Sequence, residues 1–267
     1  MGQEDLTSKI ENCIKKSELK PALIPFIVSG YPDFQITKNL LRLFEQKNAA
    51  AIELGIPFSD PLADGPVIQK ASKAALENGV NINKIFNMLS ELKDDFNTPI
   101  ILFTYYNPVL NFGVENFITK AAELNIKGLI IPDLPLEESE QVLKLAKDNE
   151  IDLIMLVSPT SDEERIEKIS KASSGFIYLV SSMGVTGVRE TFSSQLGSIL
   201  KKIKSFTATP VAVGFGVSRS EHIKEIRDLN ADAAIIGSAI VKIIDEYKAD
   251  EALLLSKMEE YLDSLYI

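Results

Sequence analysis

Eight short runs of uninterrupted apolar residues recur along the chain, each followed by a longer amphipathic stretch. The runs are Ala22–Ser29, Ala50–Gly55, Pro99–Tyr105, Lys127–Asp133, Asp152–Ser158, Gly175–Ser181, Pro210–Gly216 and Asp232–Ser238. Their polarity does not alternate, which is how parallel strands read when both faces are covered. The stretches between them carry a helical period. Leu40, Leu41, Leu43 and Phe44 form a stripe within Phe34–Lys47, and Ile85, Phe86, Met88 and Leu89 form one within Asn83–Leu92. Further helices are expected over Val114–Leu124, Ser139–Lys147, Glu163–Ala172, Leu196–Ile203, Ser220–Leu229 and Ala252–Leu265. Leu6–Ile14 reads as an extra helix ahead of the first strand, and Ser161-Asp162 and Ser218 read as helix starts. About eight β-then-α units in 267 residues match a (β/α)8 TIM barrel of about 250 residues. A doubly wound open sheet is the alternative. No linker or composition break interrupts the pattern, so residues 1–267 read as one domain.

A barrel directs the search for chemistry to the loops that follow the strands. Composition narrows what that chemistry can be. With 28 Lys and Arg against 38 Asp and Glu, the net charge is −10, which disfavours nucleic-acid partners. It leaves room for a small phosphorylated substrate held by backbone N–H groups. No apolar run approaches the ~20 residues of a membrane span. The polar N-terminus has no secretory pattern, and the lone Cys13 fits a reducing compartment, so a cytoplasmic location is expected. The single histidine, His222, reads as a solvated helix residue rather than a base. No strand end carries histidine, so no metal site is expected. No lysine stands where a Schiff-base aldolase needs one.

Three features stand out. After the second apolar run comes ELGIPFSDPLADGPVIQ, Glu53–Gln69, with three prolines, two glycines and the acids Asp60 and Asp64 behind Glu53. Carboxylates held at a barrel mouth suit acid–base work. The bland alternative is a structural ion pair at Glu53 and turn aspartates behind it. Late in the chain, glycines follow three successive strands in Ser181–Gly187, Val213–Ser218 and Ile236–Ile240. In that place they suit a phosphate site, with Gly216 and the Gly237-Ser238 helix start as its parts. Ordinary turns are the alternative. Tyr178, inside the sixth run, either faces the mouth or packs in the core.

At these residues the sequence resembles the tryptophan synthase alpha-subunit family. The resemblance is carried by PFIVSGYPD (Pro25–Asp33), the seventeen-residue block Glu53–Gln69, YLVSSMGVTGVR (Tyr178–Arg189), GFGVS (Gly214–Ser218) and GSAIVK (Gly237–Lys242), in the family's order and spacing. It implies a cofactor-free lyase that splits indole-3-glycerol phosphate into indole and glyceraldehyde 3-phosphate. Glu53 matches the family's catalytic acid–base, and Asp64 matches the aspartate at the indole N–H. Tyr178 matches the tyrosine near the glycerol chain, and Phe26 an aromatic wall of the indole pocket. Gly187, Gly216, Gly237 and Ser238 match phosphate-binding positions. Thr186 matches a threonine on a substrate-closing loop, expected over about Ser182–Thr191, that bonds the aspartate. Ser181-Ser182-Met183-Gly184 lacks an arginine that some members carry there, which touches no catalytic atom. The family's partner is a beta subunit that holds pyridoxal phosphate and takes up the indole, in an alpha2-beta2 heterotetramer. A free-standing lyase and a non-catalytic regulatory barrel are the competing readings, and intact Glu53 and Asp64 argue against the second.

Overall fold

A computed structural model of the chain describes residues 8–180, 189–214 and 216–266, with only the backbone of residues 189–195. Nine strand segments are present among them: β1 (Ala22–Val28), β2 (Ile52–Gly55), β3 (Ile100–Phe103), β4 (Gly128–Ile130), β5 (Asp152–Ile154), β6 (Leu156–Val157), β7 (Ile177–Val180), β8 (Val211–Gly214) and β9 (Ala233–Ile236). Every pairing is parallel, in the order β5-β4-β3-β2-β1-β9-β8-β7-β6. The two ends of that order, β5 and β6, are separated in the chain only by Met155, whose carbonyl accepts from Tyr178 N–H at 3.0 Å. They are two halves of one of the eight expected strands, so the sheet closes on itself as a barrel. Each observed strand is shorter than its apolar run, which also covers residues flanking the ladder.

Helices wrap the barrel between strands, as the periodicity implies. Asp33 and Asp162 cap the helices Phe34–Gln46 and Glu163–Ala172, accepting from Ile36 and Arg165 N–H, each at 2.8 Å. Two helices have no counterpart in the sequence reading: Pro66–Glu77 and Tyr106–Phe112. The first hides because its buried face is small, built on Ala71, Ser72 and Ala75. It also shortens the expected loop, which ends at Gly65 with Pro66 as the first helical residue, a position where the missing N–H costs nothing. Leu196–Ile203 proves to be the middle of a longer helix, Arg189–Phe206. Ser218 is not a cap; the helix begins at Ser220, with Arg219 in the cap position.

The extra N-terminal helix is Lys9–Lys16, capped by Ser8 and burying Ile10 and Ile14; Leu6, included in the sequence-based span, lies outside the described residues. Ile10 sits under the start of β4. A Cβ added to Gly128 would come within 2.8–2.9 Å of Ile10, Ile101 and Ile154, so this helix plugs the N-terminal end of the barrel. The C-terminal end is left for loops. No helix among the described residues is long and apolar enough to cross a membrane.

Candidate active site

The C-terminal mouth holds a pocket. Seven of the nine residues singled out in the sequence line it: Phe26, Glu53, Asp64, Tyr178, Gly216, Gly237 and Ser238. Ile68, Phe103 and Ile235 complete its described wall. The other two, Thr186 and Gly187, lie outside the described residues, as does the closing loop through residue 188; residues 189–191 already belong to the helix Arg189–Phe206.

Glu53 is the second residue of β2, in register with Phe26 on β1 and Ile101 on β3. Its alternation with Ile52 and Leu54 turns a carboxyl into the barrel interior, where it is 1% exposed. Oε1 is buried without a hydrogen-bond partner among the described residues. Burial alone holds the Glu53 carboxyl well above the usual carboxylate range, since an unpaired charge among apolar walls is costly and protonation removes it. The ion-pair alternative for Glu53 finds no partner among the described residues.

Asp64 is half-buried on the loop between β2 and the helix Pro66–Glu77. Burial raises its pKa to about 6, and a hydrogen bond from Tyr105 opposes the rise. The loop is held by Asp64 N–H donating to Pro61 carbonyl at 3.0 Å and by Gln69 Nε2 donating to Asp64 carbonyl at 2.9 Å. Two neighbouring carboxyls thus sit in unlike surroundings. Burial pushes Glu53 toward its protonated form, while Asp64, with a phenol donor, is raised only to about 6, a difference that suits one carboxyl to act as an acid and the other as an acceptor.

Tyr178, on β7, is buried, and its phenol pKa is raised by burial and by the nearby Glu53 and Asp64. It is both a core residue and a wall of the pocket, so the two alternatives left open by the sequence coincide. Gly214 at the end of β8 makes room for it, because a Cβ there would collide with the Tyr178 hydroxyl. Phe26 meets Phe103 edge-on, with centroids 5.6 Å apart, and the pair forms an apolar slot beside Glu53.

Gly216 has φ +87°, a conformation that favours glycine. Gly237 precedes the helix Ser238–Tyr247, and a Cβ on it would stand 3.3 Å from Phe26 and 3.6 Å from Ile68. The first amide groups of that helix have no intrahelical acceptor. No lysine or arginine is among the described lining residues, so an anion here would be met by backbone N–H groups and the helix dipole.

Sequence reasoning missed Tyr105, which stands two residues beyond β3, and the apolar wall of Ile68, Phe103 and Ile235. The signal for Tyr105 was its place at the end of an apolar run, the position in which a polar tip meets the mouth. His222 is outside this pocket and is not solvated. It is 8% exposed, and its Nδ1 accepts from Ser218 N–H at 3.2 Å. A histidine side chain thus reaches back to the start of its own helix in place of the expected serine cap. No group of three or more His, Cys, Asp or Glu among the described residues could hold a metal ion.

A closed (β/α)8 barrel whose C-terminal mouth gathers two carboxyls, an aromatic wall and glycines has the architecture of a barrel enzyme. The comparisons specify which. The family model for the tryptophan synthase alpha chain matches residues 13–265. The chain is 47% identical to the tryptophan synthase alpha chain of Arabidopsis thaliana over 250 residues, which is 94% of this chain and 90% of that one. It is 44% identical to that of Petrotoga mobilis, covering 97% and 99%. Among solved structures, it is similar to a chain of the tryptophan synthase complex of Pyrococcus furiosus, with a TM-score of 0.83, 35% identity, and 92% and 97% of the two chains covered. The chain belongs to the tryptophan synthase alpha chain family.

Proposed function

We propose that this chain splits indole-3-glycerol phosphate into indole and glyceraldehyde 3-phosphate, with Glu53 as general acid–base and Asp64 as acceptor for the indole N–H. The observation that carries this reading is the buried Glu53 carboxyl in an apolar slot: its Oε1 has no hydrogen-bond partner among the described residues, and burial holds its pKa well above the usual carboxylate range. Indole is a poor leaving group as a carbanion. A proton delivered from Glu53 to C3 turns the ring into an electron sink, and Asp64 stabilises the positive charge that develops at the ring nitrogen. The glycerol hydroxyl then loses its proton to the Glu53 carboxylate, the carbon–carbon bond breaks into the ring, and the aldehyde forms. No net proton is consumed. Tyr178 lies against the glycerol chain and Phe26 against the indole face. Gly187, Gly216, Gly237 and Ser238 anchor the phosphate, and Thr186 closes the site. Binding energy from the anchor fixes the reacting carbon without touching it.

The reaction uses no metal and no cofactor of this chain's own. The chain works in the cytoplasm as the alpha subunit of an alpha2-beta2 tryptophan synthase, and pyridoxal phosphate belongs to the beta partner. A relative supports this reading of assembly: the tryptophan synthase a2b2 complex of Pyrococcus furiosus, which shows mutual activation, contains a chain 35% identical to this one. The test is indole release from indole-3-glycerol phosphate by the chain alone and with a beta subunit, for the unaltered protein and Glu53→Gln. General acid–base groups contribute about 10²–10⁴-fold. The variant is expected to lose kcat in that range while still binding substrate, and the unaltered chain to turn over faster with its partner. A loss under about tenfold contradicts the role of Glu53.

A further inference from the structure

Tyr105 takes part in a chain of hydrogen bonds that ends on the proposed acceptor of the indole N–H. Ala63 N–H donates to Tyr105 Oη at 3.0 Å, and Tyr105 Oη lies 3.1 Å from Asp64 Oδ2. Since the incoming N–H occupies a lone pair of the phenol oxygen, the phenol's own proton is directed to the carboxylate. The ring itself has little freedom. It is 3% exposed, stacks on Phe58 at 5.2 Å and meets Phe103 edge-on at 6.4 Å. One side chain, rooted just past β3, thus grips both residues 63 and 64 of a loop that comes from β2.

We infer that Tyr105 is a positioning residue for the reaction: it fixes Asp64 with Oδ2 engaged, so that Oδ1 is presented to the ring N–H of the substrate. The inference rests on the reading of Asp64 given above. It follows from what surrounds that carboxylate. Glu53 and Tyr178 share its pocket, and Asp133, whose Oδ1 accepts from Tyr106 N–H at 2.9 Å, acts on Tyr105 from the β4 side. None of these groups is a cation. The phenol is therefore what opposes the tendency of burial to keep Asp64 protonated, and it does so only in the geometry that aims the carboxylate.

Tyr105→Phe removes one oxygen and keeps the ring, its stacking and the apolar wall. If Tyr105 positions Asp64, kcat falls about tenfold with KM nearly unchanged, since hydrogen bonds to charged groups carry energies of that order. A second readout is the acidic limb of the kcat/KM–pH profile, expected near pH 6 from Asp64. It moves to higher pH by about one unit, as a carboxylate that loses a donor binds its proton more tightly. A merely structural tyrosine would leave that limb in place. Should the phenylalanine variant fail to fold, 3-fluorotyrosine installed at position 105 alone gives a stronger donor, and the limb moves to lower pH. An unmoved limb in whichever protein folds overturns the inference. Asp64→Asn, assayed in parallel, separates the two levels: near-normal turnover there refutes the reading of Asp64 itself, whereas a crippled Asp64→Asn beside an unmoved limb in Tyr105→Phe refutes only the role of Tyr105.

Discussion

Glu53 and Asp64 are chemically alike, and their surroundings make them different. The first sits inside a strand with apolar neighbours on both sides; the second sits on a loop with a phenol as donor. The difference has a consequence for stability as well as for chemistry. The pKa of Asp64 rises from 3.8 to about 6 on folding. Between those values the folded chain retains a proton that the unfolded chain releases, so stability falls as pH increases through this window. Asp64→Asn lacks that term. Urea midpoints measured from pH 4 to pH 7 should therefore show the unaltered protein losing ground steadily to Asp64→Asn, and parallel curves would show that the carboxyl is not perturbed. Glu53 was legible in the sequence because an acid inside an apolar run is conspicuous. Tyr105 was not, because a tyrosine closing such a run looks like any other half-polar core residue until Asp64 is seen within reach of its hydroxyl.

Among the elements, the proposed phosphate anchor is the start of the helix Ser238–Tyr247 with the glycines beside it. Gly237 has no side chain in the space between Phe26 and Ile68. In Gly237→Val the branched side chain would enter that space and push the indole wall and the phosphate end apart. KM for the phosphorylated substrate should rise at least about tenfold, the cost of roughly one lost backbone contact to a charged group, while the melting temperature changes little. A KM within twofold of the unaltered value would place the anion elsewhere. The sequence pointed to this element through its glycine trio, since turns after three successive strands converge at one end of a barrel; the first of the three segments, Ser181–Gly187, lies outside the described residues. It did not reveal Pro66–Glu77 or Tyr106–Phe112. The buried face of the first is made of alanine and serine, and the second buries only Val109, so neither shows an apolar stripe.

Across the whole molecule, the barrel divides its labour between two ends. The N-terminal end is closed by Ile10 over Gly128; the C-terminal end carries the pocket. Gly128→Ala should accordingly cost about 1–3 kcal/mol of stability through overpacking and leave kcat of the folded protein unchanged. A loss of kcat without a loss of stability would contradict this division. The barrel itself was legible because strands covered on both faces must be continuously apolar. Its closure through a strand broken at Met155 was not, since the run Asp152–Ser158 reads as unbroken. The central claim, that a buried carboxyl at the mouth stands ready as an acid, is open to one direct measurement. Infrared difference spectra of the unaltered protein against Glu53→Gln, at pH 7 with the site empty, should contain the carbonyl stretch of one protonated carboxylic acid that the variant lacks. A carboxylate band in its place would mean that Glu53 is ionised before substrate arrives and has no proton to deliver to the ring.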